Sequence, residues 1–237
     1  MFSKTAQYYD VIYSWKDYPG EVKRITEIID REKRSDGNRL LDVACGTGMH
    51  MQLLSRTFEV EGLDMDENLM ELARERVPGA LFHQADMIDF KLDARFDVIT
   101  CLFSSIGYVK TKENLQRAIS CMADHLKIGG VLIIEPWLTP DKIQTDTVHA
   151  KFVDEPGLKI ARMNTSRVID GITVFDFDYL IGTPEGIEHF VERHELGNFT
   201  VEETMAAFRL AGLEVTYDSD GLMGRGLYTG RRTETLK

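Results

Sequence analysis

Apolar residues follow two rhythms along this chain of 237 residues. Through about residue 135, short apolar runs alternate with stretches whose apolar positions recur every three or four residues. That is the pattern of buried strands alternating with amphipathic helices. Residues 40–43, 58–64, 80–85, 96–103 and 131–135 read as strands. Residues 21–34, with Val22, Ile25, Ile28 and Ile29 on one stripe, read as a helix, as do 49–57, 65–76 and 111–126. Five strands separated by helices predict a mostly parallel, doubly wound sheet. From about 147 to 196 the rhythm becomes strand-like alternation, broken at Glu155-Pro156-Gly157, Asp170-Gly171 and Gly182-Thr183-Pro184. Asp-Gly between apolar alternations is a hairpin signal, so about four antiparallel strands are expected. Thr200 with Glu203 forms a capping box for a further helix ending at Ala211-Gly212. Residues 213–217 and 226–229 predict a final hairpin at one sheet edge. The expected fold class is α/β: a doubly wound, mostly parallel seven-stranded sheet with a small antiparallel insert at about 147–196. One domain over residues 1–237 is expected, since this length supports one sizeable core.

Lys and Arg number 28 against 39 Asp and Glu, a formal charge of −11. A surface this acidic argues against nucleic acid or an anionic membrane as the main partner. Cys45, Cys101 and Cys121 have no metal-type spacing, and no Cys/His cluster supports a metal site. Reduced, buried thiols and a cytoplasmic location are expected. The first residues lack an apolar signal core, and no run approaches membrane-spanning length.

The candidate chemistry starts at Leu40-Leu41-Asp42-Val43-Ala44-Cys45-Gly46-Thr47-Gly48. A strand runs into two glycines and then a helix, the layout of a ligand loop at the carboxyl end of a strand. Gly46 and Gly48 permit a sharp turn and close ligand approach. A dinucleotide fingerprint asks for a third glycine where Met51 stands, and no Gly-Lys-Ser/Thr follows for a P-loop. Asp64 ends the second strand and Asp86-Met87 follows the third. An adenosine fits this set: Asp64 can accept both ribose hydroxyls, Asp86 and the Met87 backbone meet the adenine edge, and Ala44 and Leu102 supply apolar walls. Any one such Asp more commonly caps the next turn; three at successive strand ends do not arise so easily. Four tyrosines and a tryptophan crowd residues 6–18. They read as a staple for the N-terminal arm, as a lid over the cofactor, or as both.

These residues resemble the motifs of class I S-adenosylmethionine-dependent methyltransferases, with their Rossmann-like fold. The stretches from His83 to Phe90, Phe103 to Tyr108, Gly129 to Trp137 and Gly224 to Leu227 are similar to N,N-dimethyltransferases acting on dTDP-3-amino deoxysugars. The resemblance implies S-adenosylmethionine as cofactor, with S-adenosylhomocysteine as product, contacted by Tyr9, Tyr18, Ala44, Asp64, Asp86, Met87 and Leu102. It implies Ser105, Gly107 and Tyr108 beside the methyl acceptor, and Arg162, Arg167, His194 and Arg225 near a nucleotide sugar. Trp137 belongs to the same acceptor side. The chain departs from that family there: Leu138 replaces a second aromatic, and the loop 218–223 lacks a Gly-Gly-Pro-Ser run.

Methyl transfer from a sulfonium needs mainly positioning and exclusion of water. Tyr108, with Tyr13 second, is the candidate for hydrogen-bonding the acceptor amine; a phenol with a pKa of about 10 is no ready general base. The expected activity is N-methylation of a small molecule, the amine of a nucleotide-linked amino sugar. Another amine, an O-acceptor and a non-catalytic S-adenosylmethionine-binding protein are the alternatives. A homodimer is left open.

Overall fold

Short apolar strands paired in parallel dominate the first half of the chain. The computed structural model describes residues 5–145 and 147–233. Its elements begin with α1 (Tyr9–Ile12), α2 (Tyr18–Glu32), β1 (Arg39–Val43), α3 (Met49–Leu54), β2 (Glu59–Asp64), α4 (Glu67–Arg76) and β3 (Leu81–Gln84). They continue with β4 (Phe96–Cys101), α5 (Lys112–Asp124) and β5 (Leu126–Ile134). The antiparallel stretch is β6 (Val148–Glu155), β7 (Leu158–Ile169), β8 (Ile172–Thr183) and β9 (Gly186–Gly197); α6 (Val201–Leu210), β10 (Leu213–Asp218) and β11 (Leu227–Arg232) complete the chain.

The main sheet has seven strands in the order β10-β11-β5-β4-β1-β2-β3. Strands β1 to β5 pair in parallel, and β11 is antiparallel to both β5 and β10. The expected α/β class, with its edge hairpin and antiparallel insert, is what forms. Consecutive side chains of a strand point to opposite faces. Leu41 and Val43 therefore join a core with α5 and α6, while Leu40 joins one with α2, α3 and Met51. That is why β1 is apolar on both faces. Each such aliphatic side chain contributes roughly 1.5–3 kcal/mol by leaving water. Met51, in place of a glycine, fills the second core with no exposure.

One boundary moved. The fifth strand was expected over 131–135, after a helix ending at 126, but β5 starts at Leu126. Phe96 pairs with Leu126 and Val98 with Val131, so β5 bulges between them. At the bulge Gly129 has φ +78°, and its carbonyl accepts the Arg34 and Ser35 N–H groups at 2.7 and 3.2 Å. The glycines thus anchor the end of α2 to the sheet.

The four-stranded sheet has the order β6-β7-β8-β9. Asp170 and Gly171, with φ +49° and +76°, form the tight turn between β7 and β8. This matches the positive-φ pair that right-twisted hairpins favour.

Candidate functional site

Residues after the carboxyl ends of β1, β2 and β4, together with one face of the four-stranded sheet, line a cavity of about 830 Å³. Small-molecule sites typically measure ~300–1,000 Å³.

At one end the chain leaves β1 through Ala44 and Gly46, both with left-handed φ (+57° and +55°). This turn brings the Gly46 N–H to Asp64 Oδ2 at 2.8 Å, while the Asp66 N–H donates to Oδ1 at 2.9 Å. A carboxylate oxygen has about two acceptor sites, so each oxygen keeps one. Burial lifts the Asp64 carboxyl above its ordinary pKa, a cost that donors from a ligand would offset. Two adjacent acceptors beside a glycine with open space in front of it fit a vicinal diol. Ala85 and Met87 extend the wall from the end of β3, and Glu67 and Asn68 from the start of α4.

The N-terminal segment covers this end. Asp10 accepts the Thr47 hydroxyl at 2.7 Å and pairs with Arg76, which also donates to the Thr47 carbonyl. This staple brings Tyr9 and Tyr13 to the cavity wall with their rings 4.7 Å apart. Burial drives the Tyr9 phenol well above its ordinary pKa.

Beyond β4, Phe103 and Ser104 both adopt left-handed φ, +52° and +65°. Such a pair without glycine stores strain that its surroundings must hold. Three contacts do so. Glu135 Oε2 accepts the Phe103 N–H at 2.7 Å; the Ser104 hydroxyl donates to the Pro136 carbonyl at 2.8 Å; Arg225 Nη1 donates to Ser104 Oγ at 2.8 Å. Glu135 is fully buried, and burial raises its pKa. The turn launches the short 3₁₀ helix Ser105–Val109, from which Ser105 and Tyr108 reach the cavity. The Tyr108 hydroxyl lies 2.8 Å from His194 Nδ1. Burial pushes the Tyr108 phenol far above its usual range, so it stays protonated.

The four-stranded sheet supplies the remaining wall by parity. Arg162, Asn164 and Ser166 of β7, Thr173, Phe175 and Phe177 of β8, and His194 and Leu196 of β9 line the cavity. Cross-strand register sets them side by side: Asn164 lies opposite Phe177, and Phe175 opposite His194. Arg162 donates to the Tyr13 hydroxyl at 3.0 Å and packs over the Phe177 ring at 4.8 Å. Arg225 packs over Trp137 at 5.1 Å. Among the described residues neither arginine has a carboxylate partner.

Of the site residues expected from the sequence, the cavity gathers Tyr9, Tyr13, Ala44, Gly46, Asp64, Met87, Ser105, Tyr108, Trp137, Arg162, His194 and Arg225. Six others stand behind it or away from it. Gly48 caps α3 at φ +75°; a Cβ there would meet Ala73 Cβ at 3.1 Å, so it serves helix packing, not ligand approach. Tyr18 is buried edge-on against His50, with the rings 4.9 Å apart. Leu102 turns into the core. Asp86 accepts the Ile88 N–H at 2.9 Å, the turn-capping role of a strand-end carboxylate. Gly107 lets the 3₁₀ helix approach β9, since a Cβ would meet Leu196 Cδ2 at 2.9 Å and Trp137 Cβ at 3.2 Å. Arg167 corrects an expectation. It lies five residues from Arg162, an odd number, so the strand turns it to the opposite face. There it pairs with Asp176 at 2.9 Å.

Trp15, from the aromatic N-terminal stretch, also lines the cavity, whereas Phe103, Ser104, Asn164, Phe175, Phe177 and His149 were not singled out as site residues from the sequence. The even spacing of Thr173, Phe175 and Phe177 was the available signal. His83, His125 and His189 hold structural posts outside the cavity, on Glu61, Cys121 with Leu92, and Asp178. All three cysteines are free thiols with pKa raised by burial, Cys121 to about 11. Thiols held neutral in this way are poor nucleophiles. Among the described residues no helix is long and apolar enough to cross a membrane.

Comparison with known proteins places these features. A family described as a methyltransferase domain matches residues 40–130. The dTDP-3-amino-3,4,6-trideoxy-alpha-D-glucopyranose N,N-dimethyltransferase of Streptomyces venezuelae is 38% identical over 229 residues, 95% of this chain and 96% of its own. The dTDP-4-amino-2,3,4,6-tetradeoxy-D-glucose N,N-dimethyltransferase of Saccharopolyspora spinosa is 36% identical over 96% of this chain and 92% of its own. The crystal structure of Streptomyces venezuelae DesVI superposes with a TM-score of 0.91 at 36% identity, covering 97% of this chain and 99% of that one. An S-adenosylmethionine-bound amino pentose methyltransferase of Micromonospora echinaspora, from calicheamicin biosynthesis, gives 0.86 at 37% identity, covering 95% and 96%.

Proposed function

The chain belongs to the S-adenosylmethionine-dependent methyltransferases, beside the dTDP-amino-sugar N,N-dimethyltransferases, and we propose that it methylates the amine of a nucleotide-linked amino sugar. The observation that carries this reading is the charge division of one cavity. Asp64, Asp66 and Glu67 line the end beside the glycine loop, whereas Lys142, Arg162 and Arg225 line the part formed by the antiparallel sheet and the segments after β5 and before β11. In a chain of net charge −11, two arginines with no ion-paired carboxylate among the described residues make a site for an anion. Guanidinium groups bind phosphate oxygens bidentately. In this reading the two sheets act as a single domain.

When bound, S-adenosylmethionine supplies an electrophilic methyl group on a sulfonium. Asp64 holds the ribose hydroxyls, Ala44 and Gly46 clear the space beside it, and Met87 covers the base. Tyr9 and Tyr13 exclude water from above. Tyr108 orients the amine, and Arg162 and Arg225 hold the diphosphate. Because a neutral amine attacks without activation, these residues act by placement, an effect worth up to ~7–11 kcal/mol where reacting atoms are well oriented.

The test is turnover on dTDP-3-amino and dTDP-4-amino deoxysugars, the free amino sugars and the matching hydroxy sugars. The two relatives named above differ in the ring position of the amine, so both positions belong in the panel. Methylation confined to the nucleotide-linked amines is expected. Equal turnover of free amino sugars removes the diphosphate role, and turnover of hydroxy sugars alone replaces the amine with an O-acceptor.

A further inference from the structure

Each methyl group added to a neutral amine leaves an ammonium that still carries N–H. A second methylation requires the loss of that proton, and a cavity roofed by Tyr9 and Tyr13 offers it little water. The structure contains a buried chain of polar groups at this point. The Tyr108 hydroxyl lies 2.8 Å from His194 Nδ1. His194 Nε2 lies 3.9 Å from Glu192 Oε2, and that same oxygen accepts the Thr5 hydroxyl at 2.6 Å. Tyr108, which lines the cavity, is the inner end; His194 is 2% and Glu192 8% exposed. Register explains the alignment. Residues 192, 194 and 196 share the inward face of β9, and the Ser105–Val109 helix packs across it through Gly107 and Leu196.

Resting on the amine reading above, we infer that Tyr108, His194 and Glu192 form the outlet for the proton of the acceptor nitrogen. The transfer is balanced. The ammonium N–H bond breaks as its proton goes to Tyr108 Oη, while the phenol's own proton moves to His194 Nδ1. The phenol is regenerated neutral, the amine recovers its lone pair, and the imidazolium carries N–H on both nitrogens with Glu192 as its counter-charge. This route never forms a phenolate, which suits a phenol whose pKa burial has raised. The neighbours permit it. From β8, Phe175 lies directly across from His194 and the Phe177 ring is 5.1 Å away. From the 3₁₀ helix comes Tyr108, and from β9 itself Glu192. Arg162 packs over the Phe177 ring at 4.8 Å, and Tyr13, Tyr179, Asp64 and Glu192 act on Tyr108 electrostatically. In this scheme Tyr108 touches the substrate, whereas His194 and Glu192 act through it as positioning residues.

Two measurements test the relay. First, ¹⁵N-histidine NMR is recorded on the complex with S-adenosylhomocysteine and the dTDP-amino sugar, where no turnover occurs. His194 is expected to be the imidazolium at pH 7, and neutral in Tyr108→Phe. Second, kcat/KM and the ratio of monomethyl to dimethyl product are measured against pH. Wild type is expected to hold its rate below the amine's own pKa, because the relay takes up the ammonium proton. His194→Gln and Glu192→Gln should instead lose about tenfold per pH unit below the amine's own pKa and accumulate monomethyl product, because only free amine then reacts. A loss of packing alone would lower the rate equally at every pH. If His194→Gln does not fold, Glu192→Gln carries the test. Parallel pH profiles with an unchanged product ratio, or a neutral His194 in the complex, overturn the relay and leave the amine reading standing. No turnover of any amino sugar by wild type overturns both.

Discussion

Replacing Asp64 probes the cofactor end most directly. Its carboxylate now accepts two backbone N–H groups, from Gly46 and Asp66, and has one acceptor position left on each oxygen. Two ribose hydroxyls bound there make two charge-assisted hydrogen bonds, each worth ~1.5–3 kcal/mol net. Asp64→Ala removes both, and water recovers part of the loss, so a net cost of about 3 kcal/mol is expected. That equals ~100-fold in Kd, at 1.4 kcal/mol per tenfold. Isothermal titration with S-adenosylhomocysteine reads this directly. Thermal unfolding gives an independent check: ligand at 100 times the wild-type Kd stabilises wild type by ~2.7 kcal/mol but the variant by only ~0.4. Circular dichroism of the free variant separates this from misfolding, since the Gly46 and Asp66 N–H groups lose their acceptor. Asp64→Asn keeps the volume and removes the charge. It should also abolish the acid limb of cofactor affinity. Because burial raises the Asp64 pKa, wild-type binding should weaken as pH falls through a value above that of an ordinary aspartate. An Asp64→Ala protein that folds and binds S-adenosylhomocysteine within threefold of wild type would refute the ribose assignment.

Arg162→Gln should raise KM for the nucleotide amino sugar at least ~10-fold with cofactor affinity unchanged, whereas Arg167→Ala, on the outer face, should change steady-state kinetics less than about twofold. Gly107→Ala puts a methyl group into Leu196 and Trp137. Overpacking of that kind costs ~1–3 kcal/mol, and kcat should fall while titration shows normal cofactor binding. Asp42 is buried, accepts the Thr100 hydroxyl at 2.7 Å, and has its pKa raised by burial to about 6. A raised folded-state pKa means that its stabilising contribution is complete below the unfolded value near ~3.9 and is lost as pH rises through 6. Asp42→Asn keeps the Thr100 bond without the charge, so denaturant unfolding should show a gain of ~1–3 kcal/mol at pH 8 and little change at pH 4. Equal shifts at both pH values would refute the linkage.

Local rules carried the reading of the sequence far into the first half of the chain. The apolar runs at Leu40 and Val98 dictate buried strands, and the Asp170-Gly171 pair dictates a tight turn. Gly46 and Asp64 follow from the demands of a strand-end ligand loop. Asp86 shows where such rules run short, because the same strand-end position suits a ligand contact and a turn cap, and here Ile88 takes its carboxylate.

The sequence by itself therefore determined the sheet, the methyl donor's loop and the presence of an antiparallel insert, because periodicity, backbone φ and capping depend on residues a few positions apart. Only the tertiary structure decided which side chains meet. Arg162 faces the cavity and Arg167 the solvent through strand parity. Ser104 is fixed by Arg225 across 121 residues, and Tyr108 by His194 across 86. Those contacts are set by register and by the docking of one sheet over the other, which depend on the whole chain at once.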